Sequence, residues 1–127
     1  MAIPQDLFYS KTHEWVALED GVATVGITDF AQSQLSDLTF VELPEVGTMF
    51  DGREEAAVVE SVKAAADVYA PIAGEVIEVN TELEDAPELI NNDAFGKGWL
   101  FKLKVNHESD VDAMMDADSY EELFPPE

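Results

Sequence analysis

Between two β-branched runs the chain reads Val58-Val59-Glu60-Ser61-Val62-Lys63-Ala64-Ala65-Ala66-Asp67-Val68-Tyr69. Runs rich in Val and Tyr on either side of a small-residue break are typical of two strands joined by a tight connection. We therefore predict strands over 56–62 and 68–70, with Lys63 at an exposed turn among small side chains. Such a turn suits an enzyme that has to grip the backbone and acylate the lysine amine.

Other short strands are predicted on both sides of this hairpin, at 13–18, 22–27, 38–43, 75–80 and 99–105. The first two flank Asp20-Gly21, which is a good hairpin turn. The segment 38–43 is apolar enough for a buried strand, and 99–105 is the cleanest amphipathic strand of the chain. About seven short strands at close spacing, with helices near the ends, predict an all-β barrel or sandwich core.

The helices are expected to be few and short. Asp29 followed by Gln32 is a helix-start signal, so a helix is predicted from Asp29 to about residue 36. Single helical turns are predicted at 87–91 and 119–123. Ser109 is expected to cap a final acidic helix, whose inward-facing residues would be Val111, Met114 and Met115. The last residues, from about 121 to 127, are expected to form a loose acidic tail.

Composition limits the classes of function. The 127 residues suggest one domain, and at 46% hydrophobic the chain is too apolar to be a disordered acidic protein. Lys and Arg number 6 against 28 Asp and Glu, which gives a formal net charge of −22. Because nucleic acids and anionic membrane surfaces are bound through clustered Lys and Arg, this charge argues against both partners. It indicates either a strongly solvated surface or a field that steers basic partner enzymes.

Chemistry carried by the chain itself is not expected. The absence of cysteine excludes disulfides, thiolate nucleophiles and cysteine metal sites, and the two histidines, His13 and His107, argue against a histidine metal cluster. We expect His13 to have a packing or hydrogen-bonding role. No phosphate-binding loop, Ser-His-Asp order or Gly-x-Ser-x-Gly elbow is present, so the protein is predicted not to be an enzyme.

The chain is expected to be cytoplasmic. No apolar stretch approaches the roughly 20 residues that a membrane span needs. The N-terminus, Met1-Ala2-Ile3-Pro4-Gln5-Asp6, has neither a basic region nor an Arg-rich amphipathic leader.

Five blocks of the sequence occur in an order that points to a known family. The lysine block combines Glu60-Ser61-Val62-Lys63-Ala64 with Asp67 and Pro71-Ile72-Ala73-Gly74-Glu75-Val76. The other four are Ser10-Lys11-Thr12-His13-Glu14-Trp15-Val16, Val25-Gly26-Ile27-Thr28-Asp29-Phe30-Ala31-Gln32, Phe40-Val41-Glu42-Leu43-Pro44 and Gly98-Trp99-Leu100. Together these blocks resemble the glycine cleavage system H protein family. The sequence departs from that family at Ala64-Ala65-Ala66, where many members have Thr or Ser.

The resemblance implies a fold, a cofactor and a set of site residues. The fold is a flattened β barrel-sandwich of the lipoyl/biotinyl-like hybrid type, and residues 1–127 form a single lipoyl-carrier domain. Lipoate is attached to the lysine of the hairpin turn as N6-lipoyllysine at Lys63. The lipoylating enzymes are expected to recognise Glu60, Ser61 and Val62. The cleft that shelters the loaded arm is expected to contain Thr12, Glu14 and Asp67.

The implied role is that of a non-catalytic shuttle. Glycine decarboxylase, a pyridoxal-phosphate enzyme, loads an aminomethyl group onto the arm, and a tetrahydrofolate-dependent aminomethyltransferase removes it and releases ammonia. Dihydrolipoyl dehydrogenase then reoxidises the dithiol. The carrier is expected to be a monomer.

Alternatives remain open from the sequence. One is an H-like protein that mainly relays lipoyl groups to other enzymes, although the presence of Thr12, Glu14 and Asp67 favours glycine cleavage. Another is an acidic interaction protein whose Lys63 is never modified. A biotin carrier is disfavoured because Val62 and Ala64 stand where biotinyl domains have methionines.

Overall fold

The computed structural model describes residues 4–124, which contain nine strands and four short helices. The strands are β1 (Phe8–Tyr9), β2 (Glu14–Glu19), β3 (Val22–Ile27), β4 (Leu38–Glu42), β5 (Met49–Phe50), β6 (Glu55–Ser61), β7 (Ala65–Tyr69), β8 (Gly74–Val79) and β9 (Phe101–Val105). The helices are α1 (Asp29–Leu35), α2 (Glu82–Asp85), α3 (Glu88–Asn92) and α4 (Ala117–Leu123), with a 3₁₀ segment at Glu108–Ala113.

The strands form two antiparallel sheets, in the orders β1-β2-β3-β9-β8-β5 and β4-β6-β7. Inward-facing residues of both sheets share one apolar core, with Val25 and Leu103 from the first sheet and Val59 and Val68 from the second. The predicted all-β sandwich with a few short helices is therefore confirmed. No helix within residues 4–124 is both long enough and apolar enough to cross a membrane.

The β6–β7 hairpin confirms the predicted position of Lys63. Ser61 closes the turn, because its N–H donates to the Ala64 carbonyl (2.7 Å) and its Oγ accepts from the Ala64 N–H (3.2 Å). The second strand begins at Ala65, earlier than the predicted residue 68, because the alanines pair with the end of β6. Val62 and Lys63 are exposed at the tip.

The β2–β3 hairpin turns at Asp20 and Gly21, as predicted. Both residues have positive φ angles, 51° and 78°, which a two-residue turn of type I′ requires. On β3, Gly26 leaves room for the Trp15 indole, since a Cβ at this position would lie 2.6 Å from two of the ring carbons. The indole Nε1–H donates to the Ala94 carbonyl at 2.9 Å.

The first helix was predicted well and the final one was not. The helix predicted from Asp29 to about residue 36 is confirmed as α1, and Thr28 caps it, since its Oγ1 accepts from the Ala31 N–H. The predicted cap at Ser109 is wrong, because this residue lies inside the 3₁₀ segment and no side chain caps that segment. A separate helix, α4, begins after Asp116, whose carboxylate accepts from the Ser119 N–H at 2.9 Å.

The predictions of a loose tail and of a buried fourth strand also need correction. Residues 121–123 belong to α4, and Phe124 packs against His13, Phe30 and Tyr120, so residues 121–124 are not loose. Residues 125–127 lie outside the described part of the chain. Strand β4 is an edge strand that is buried only in part, because a bulge between Leu38 and Phe40 interrupts its register with β6.

Candidate functional site

Lys63 forms no ion pair with any carboxylate of the described residues. It is exposed at the tip of the β6–β7 hairpin, and the neighbouring Ala64 and Ala65 present no bulky side chain. Within residues 4–124 the single ion pair joins Lys102 to Glu78 at 3.8 Å, so no carboxylate holds the Lys63 ammonium. The amine is accessible to an acylating enzyme and fits covalent attachment of a carboxylic acid cofactor.

A second constellation surrounds Glu14, the first residue of β2, which is only 1% exposed. Its Oε1 accepts hydrogen bonds from the hydroxyls of Ser10 (2.5 Å) and Thr12. Its Oε2 accepts from the backbone N–H of Tyr69, the last residue of β7, at 3.2 Å. The carboxylate thus joins the start of the chain to the far end of the lysine hairpin.

The local chain path explains why Glu14 meets these donors. Ser10 and Glu14 close a tight loop, in which the Ser10 N–H donates to the Glu14 carbonyl (2.9 Å) and the Glu14 N–H donates to Ser10 Oγ (3.0 Å). His13 turns the chain with φ at 74°, a left-handed conformation that non-glycine residues rarely adopt. This loop directs the Glu14 side chain inward, toward the end of β7.

Beside Glu14 lies an open cleft of about 370 Å³. One wall is the segment 9–12, another is formed by Tyr69, Ala70 and Pro71, and a third by Asp110 and residues 113–115. Backbone hydrogen bonds hold the third wall in place, because Tyr9 and Met115 exchange two of them, each of 2.8 Å. Two of the six cationic residues, Lys11 and Arg53, also line the cleft.

Burial raises the pKa of Glu14 above its ordinary value of 4.5, and the hydrogen bonds from Ser10, Thr12 and the Tyr69 N–H oppose that rise. A carboxylate offers about four acceptor positions. Two on Oε1 and one on Oε2 are occupied by groups of the described chain, which leaves one position on Oε2. Because the residue also lines the cleft, that position suits a cationic or hydrogen-bond-donating ligand.

The residues expected from the sequence fall into two groups. Thr12 and Glu14 are brought together in the cleft, whereas Asp67 is exposed on β7 and does not line it. Since side chains on one face of a strand alternate, Asp67 shares its face with Tyr69 and lies between Lys63 and the cleft. Glu60, Ser61 and Val62 adjoin the lysine, and Ser61 also holds the turn.

His13 has a hydrogen-bonding and packing role, as expected. Its Nδ1 lies 2.8 Å from the hydroxyl of Tyr120, which in turn lies 2.7 Å from Thr28 Oγ1. The imidazole packs against Phe30 and Phe124, and burial lowers its pKa below 6.5. This network ties α4 and the N-terminus of α1 to the loop that carries Glu14.

Several residues of the site were missed from the sequence. Ser10, Tyr69, Lys11 and Arg53 were not singled out, although Ser10 and Lys11 belong to the same block as Thr12 and Glu14. For Ser10 the available signal was its place in that block, since a hydroxyl four residues before Glu14 is a local hydrogen-bond donor. Tyr69 contributes its backbone N–H to Glu14, so its residue type carried no such signal.

Comparison with known proteins gives consistent matches over the whole chain. A family model described as glycine cleavage H-protein matches residues 7–127. The chain is 58% identical over 126 residues to a glycine cleavage system H protein from Shewanella frigidimarina, covering 98% of each chain. It is 53% identical over 127 residues to one from Thermus thermophilus, covering 100% of this chain and 99% of the relative. A solved structure of a glycine cleavage system H protein from Mycobacterium marinum matches with a TM-score of 0.87 and 38% identity, covering 95% of this chain and 98% of the other.

Proposed function

This chain belongs to the glycine cleavage H-protein family, and we propose that it is the lipoylated, non-catalytic shuttle of a glycine cleavage system. The observation that carries the proposal is the combination of an exposed Lys63 without an ion pair at the hairpin tip and a cleft around the buried Glu14 carboxylate at the far end of β7. When bound to Lys63, a lipoyl group supplies the dithiolane that accepts the aminomethyl group of glycine and is afterwards reoxidised.

The length of such an arm fits the distance to the cleft. Strand residues rise by about 3.3 Å each, so β7, which leads from the turn to the cleft, spans about 13 Å from Ala65 to Tyr69. An extended lipoyl-lysine reaches about 14 Å from the lysine Cα to the dithiolane ring, if three bonds span about 3.8 Å. The arm laid along the outer face of β7 therefore passes Asp67 and brings cargo bound to the ring to the edge of the cleft.

Glu14 would receive the ammonium of the cargo. The acceptor position left on its Oε2 can take one N–H, while Ser10 and Thr12 fix the other oxygen. An ion pair shielded from water is stronger than the same pair in solution, so the cargo is held away from hydrolysis. Asp67 provides a second, exposed carboxylate along the way and guides the ammonium without enclosing it.

The partners follow from this role. We propose successive encounters with glycine decarboxylase, the aminomethyltransferase and dihydrolipoyl dehydrogenase in the cytoplasm, with the carrier acting as a monomer. A net charge of −22 favours encounter with basic surfaces on those enzymes. An arm tethered to the carrier raises the local concentration of its reactive end at each partner.

The test begins with the chain made in cells supplied with lipoate. Intact mass and peptide mapping should show one lipoyl group on Lys63, and Lys63→Arg should keep the fold while losing both modification and glycine decarboxylation. An unmodified wild-type chain, beside a lipoylated control protein, would instead support an acidic interaction protein. A modified chain that passes lipoyl groups to other enzymes but fails in glycine decarboxylation would support the relay alternative.

A further inference from the structure

An exposed aromatic side chain lies beside the lysine hairpin. The bulge between Leu38 and Phe40 turns both Thr39 and Phe40 outward, and the Phe40 side chain is 51% exposed. At the tip, Val62 is 92% exposed, the highest value among the large hydrophobic residues of the described chain that face solvent. Two exposed apolar side chains thus lie near Lys63, one on β4 opposite Glu60 and the other next to the lysine in the turn.

Strand register places carboxylates between and beside these apolar groups. Phe40 is the cross-strand partner of Glu60, which is in turn the partner of Ala65 on β7. Direct partners point to the same face, with Cβ atoms about 4.5–5.5 Å apart. The next row on this face contains Glu42, Val58 and Asp67. We call the surface formed by Phe40, Glu42, Glu60, Val62 and Asp67 the tip face.

We propose that the tip face is the docking surface for the enzyme that attaches the lipoyl group to Lys63, with Phe40 as its apolar anchor. This inference rests on the proposed function and extends recognition from the hairpin itself to the neighbouring strand β4. The partner surface has an apolar pocket for the Phe40 ring and basic residues around it that face Glu42, Glu60 and Asp67.

The geometry favours this enzyme over the later partners of the shuttle. An enzyme that acylates the Lys63 amine must bring its active site to the tip and touch the residues around it. The enzymes that act on the dithiolane meet it at the end of the arm, about 14 Å from the lysine Cα if three bonds span about 3.8 Å. They can use other surfaces of the carrier, so the tip face is free for the attaching enzyme.

Aromatic residues at the centre of an interface are typical anchors, and charged residues at its rim mainly affect association rates. Removing the Phe40 ring should therefore lower the efficiency of modification by about tenfold or more, which corresponds to about 1.4 kcal/mol per factor of ten. Screening of the carboxylates by salt should weaken the same reaction, because exposed charge pairs are screened within about 10 Å at 0.1 M salt.

The test uses the full-length unmodified chain, an ATP-dependent lipoate ligase and free lipoate, with kcat/KM measured by mass spectrometry. Phe40→Ser should lose about tenfold or more, while Phe40→Leu should retain most of the activity. Met49→Ser is the matched control, since Met49 is 59% exposed on β5 of the other sheet. It should be modified at the wild-type rate.

Two further measurements separate docking from damage to the fold or to the lysine. A succinimidyl ester should acylate Lys63 of Phe40→Ser and of wild type equally, and thermal unfolding should be nearly unchanged. Phe40→Ser that has been lipoylated to completion by long incubation should support glycine decarboxylation at the wild-type rate.

Several results would overturn the proposal. They are an unchanged kcat/KM in Phe40→Ser, an equal loss in Met49→Ser, or slower succinimidyl acylation that accounts for the whole effect. Failure of the proposed function would look different, because the wild-type chain itself would then not be lipoylated or, once lipoylated, would not support glycine decarboxylation.

Discussion

Replacing Ser10 by alanine removes one of the three donors that hold the Glu14 carboxylate. The Ser10 hydroxyl donates to Glu14 Oε1 at 2.5 Å, and Ser10 Oγ accepts from the Glu14 backbone N–H at 3.0 Å. A hydrogen bond to a charged group contributes about 1.5–3 kcal/mol, and a neutral one about 1 kcal/mol. Because Glu14 is buried, water cannot take over both bonds. We expect Ser10→Ala to lower the free energy of unfolding at pH 7 by about 2–3 kcal/mol.

The effect should depend on pH. Losing a donor to the ionised carboxylate raises the pKa of Glu14 further above 4.5 than burial already does. A carboxyl group whose pKa is raised in the folded state destabilises the fold most at a pH where it is ionised in both the folded and the unfolded protein. This destabilisation disappears once the pH is below the pKa of the group in the unfolded protein. The difference between the variant and wild type should therefore be largest at neutral pH and shrink as the pH falls toward 4.5. Lys11, Arg53 and Asp110 line the same cleft and are unchanged in both proteins.

Urea unfolding at several pH values, with ¹³C NMR titration of the Glu14 carboxyl, measures both quantities. Ser10→Thr keeps the hydroxyl and should restore most of the stability. Ser33→Ala is a matched control, because the Ser33 hydroxyl donates to the Phe30 carbonyl at an exposed site on α1. A loss in Ser10→Ala no larger than in Ser33→Ala, or an unchanged Glu14 pKa, would refute the reasoning.

Three other changes have definite expected results. Glu14→Gln should leave lipoylation normal yet release ammonia from the loaded carrier about tenfold faster or more, because the neutral amide cannot pair with the ammonium of the cargo. A coupled ammonia assay measures this, and unchanged release would exclude Glu14 from the shelter. The pKa of His13 is lowered, so the contribution of this residue to stability is complete above pH 6.5 and declines as the pH falls through 6.5. In urea unfolding, His13→Asn should lack this decline. Parallel pH profiles of the variant and wild type would contradict this expectation. Gly26→Ala should cost about 1–3 kcal/mol, because its Cβ would overlap Trp15. Gly52→Ala should cost little in the same urea assay, because the nearest atoms, from Ile72 and Ala73, lie 3.9 Å from the added Cβ. Equal losses would be evidence against the packing argument.

The hairpin that carries Lys63 could be predicted because its signal is local. Two β-branched runs and a small-residue break lie within twelve consecutive residues. The same twelve residues include Val59 and Val68, which anchor the hairpin in the core. The same holds for Asp20-Gly21, where the turn chemistry alone determines the hairpin. Hairpins of this kind can be predicted from the strand and turn propensities of neighbouring residues and from the alternation of apolar and polar side chains.

The burial of Glu14 could not be predicted in this way. It is one of 28 acidic residues, and its environment depends on the Tyr69 N–H, 55 positions away in the chain. The cap of the last helix was misplaced for a related reason, since Ser109 and Asp116 are equally good caps by composition and packing decides between them. The bulge in β4 likewise leaves no composition signal, although it determines which face Phe40 occupies.

Two backbone hydrogen bonds join Tyr9 to Met115, residues near opposite ends of the chain. During synthesis the sheet β4-β6-β7 is complete in sequence once residue 69 has left the ribosome, whereas Met115 in the cleft wall emerges 46 residues later. A contact between residues distant in sequence also requires loop closure, which costs conformational entropy. A nascent chain therefore holds the whole lysine hairpin before it holds this wall of the cleft, and a chain that ends before Met115 would keep the hairpin and lack the wall.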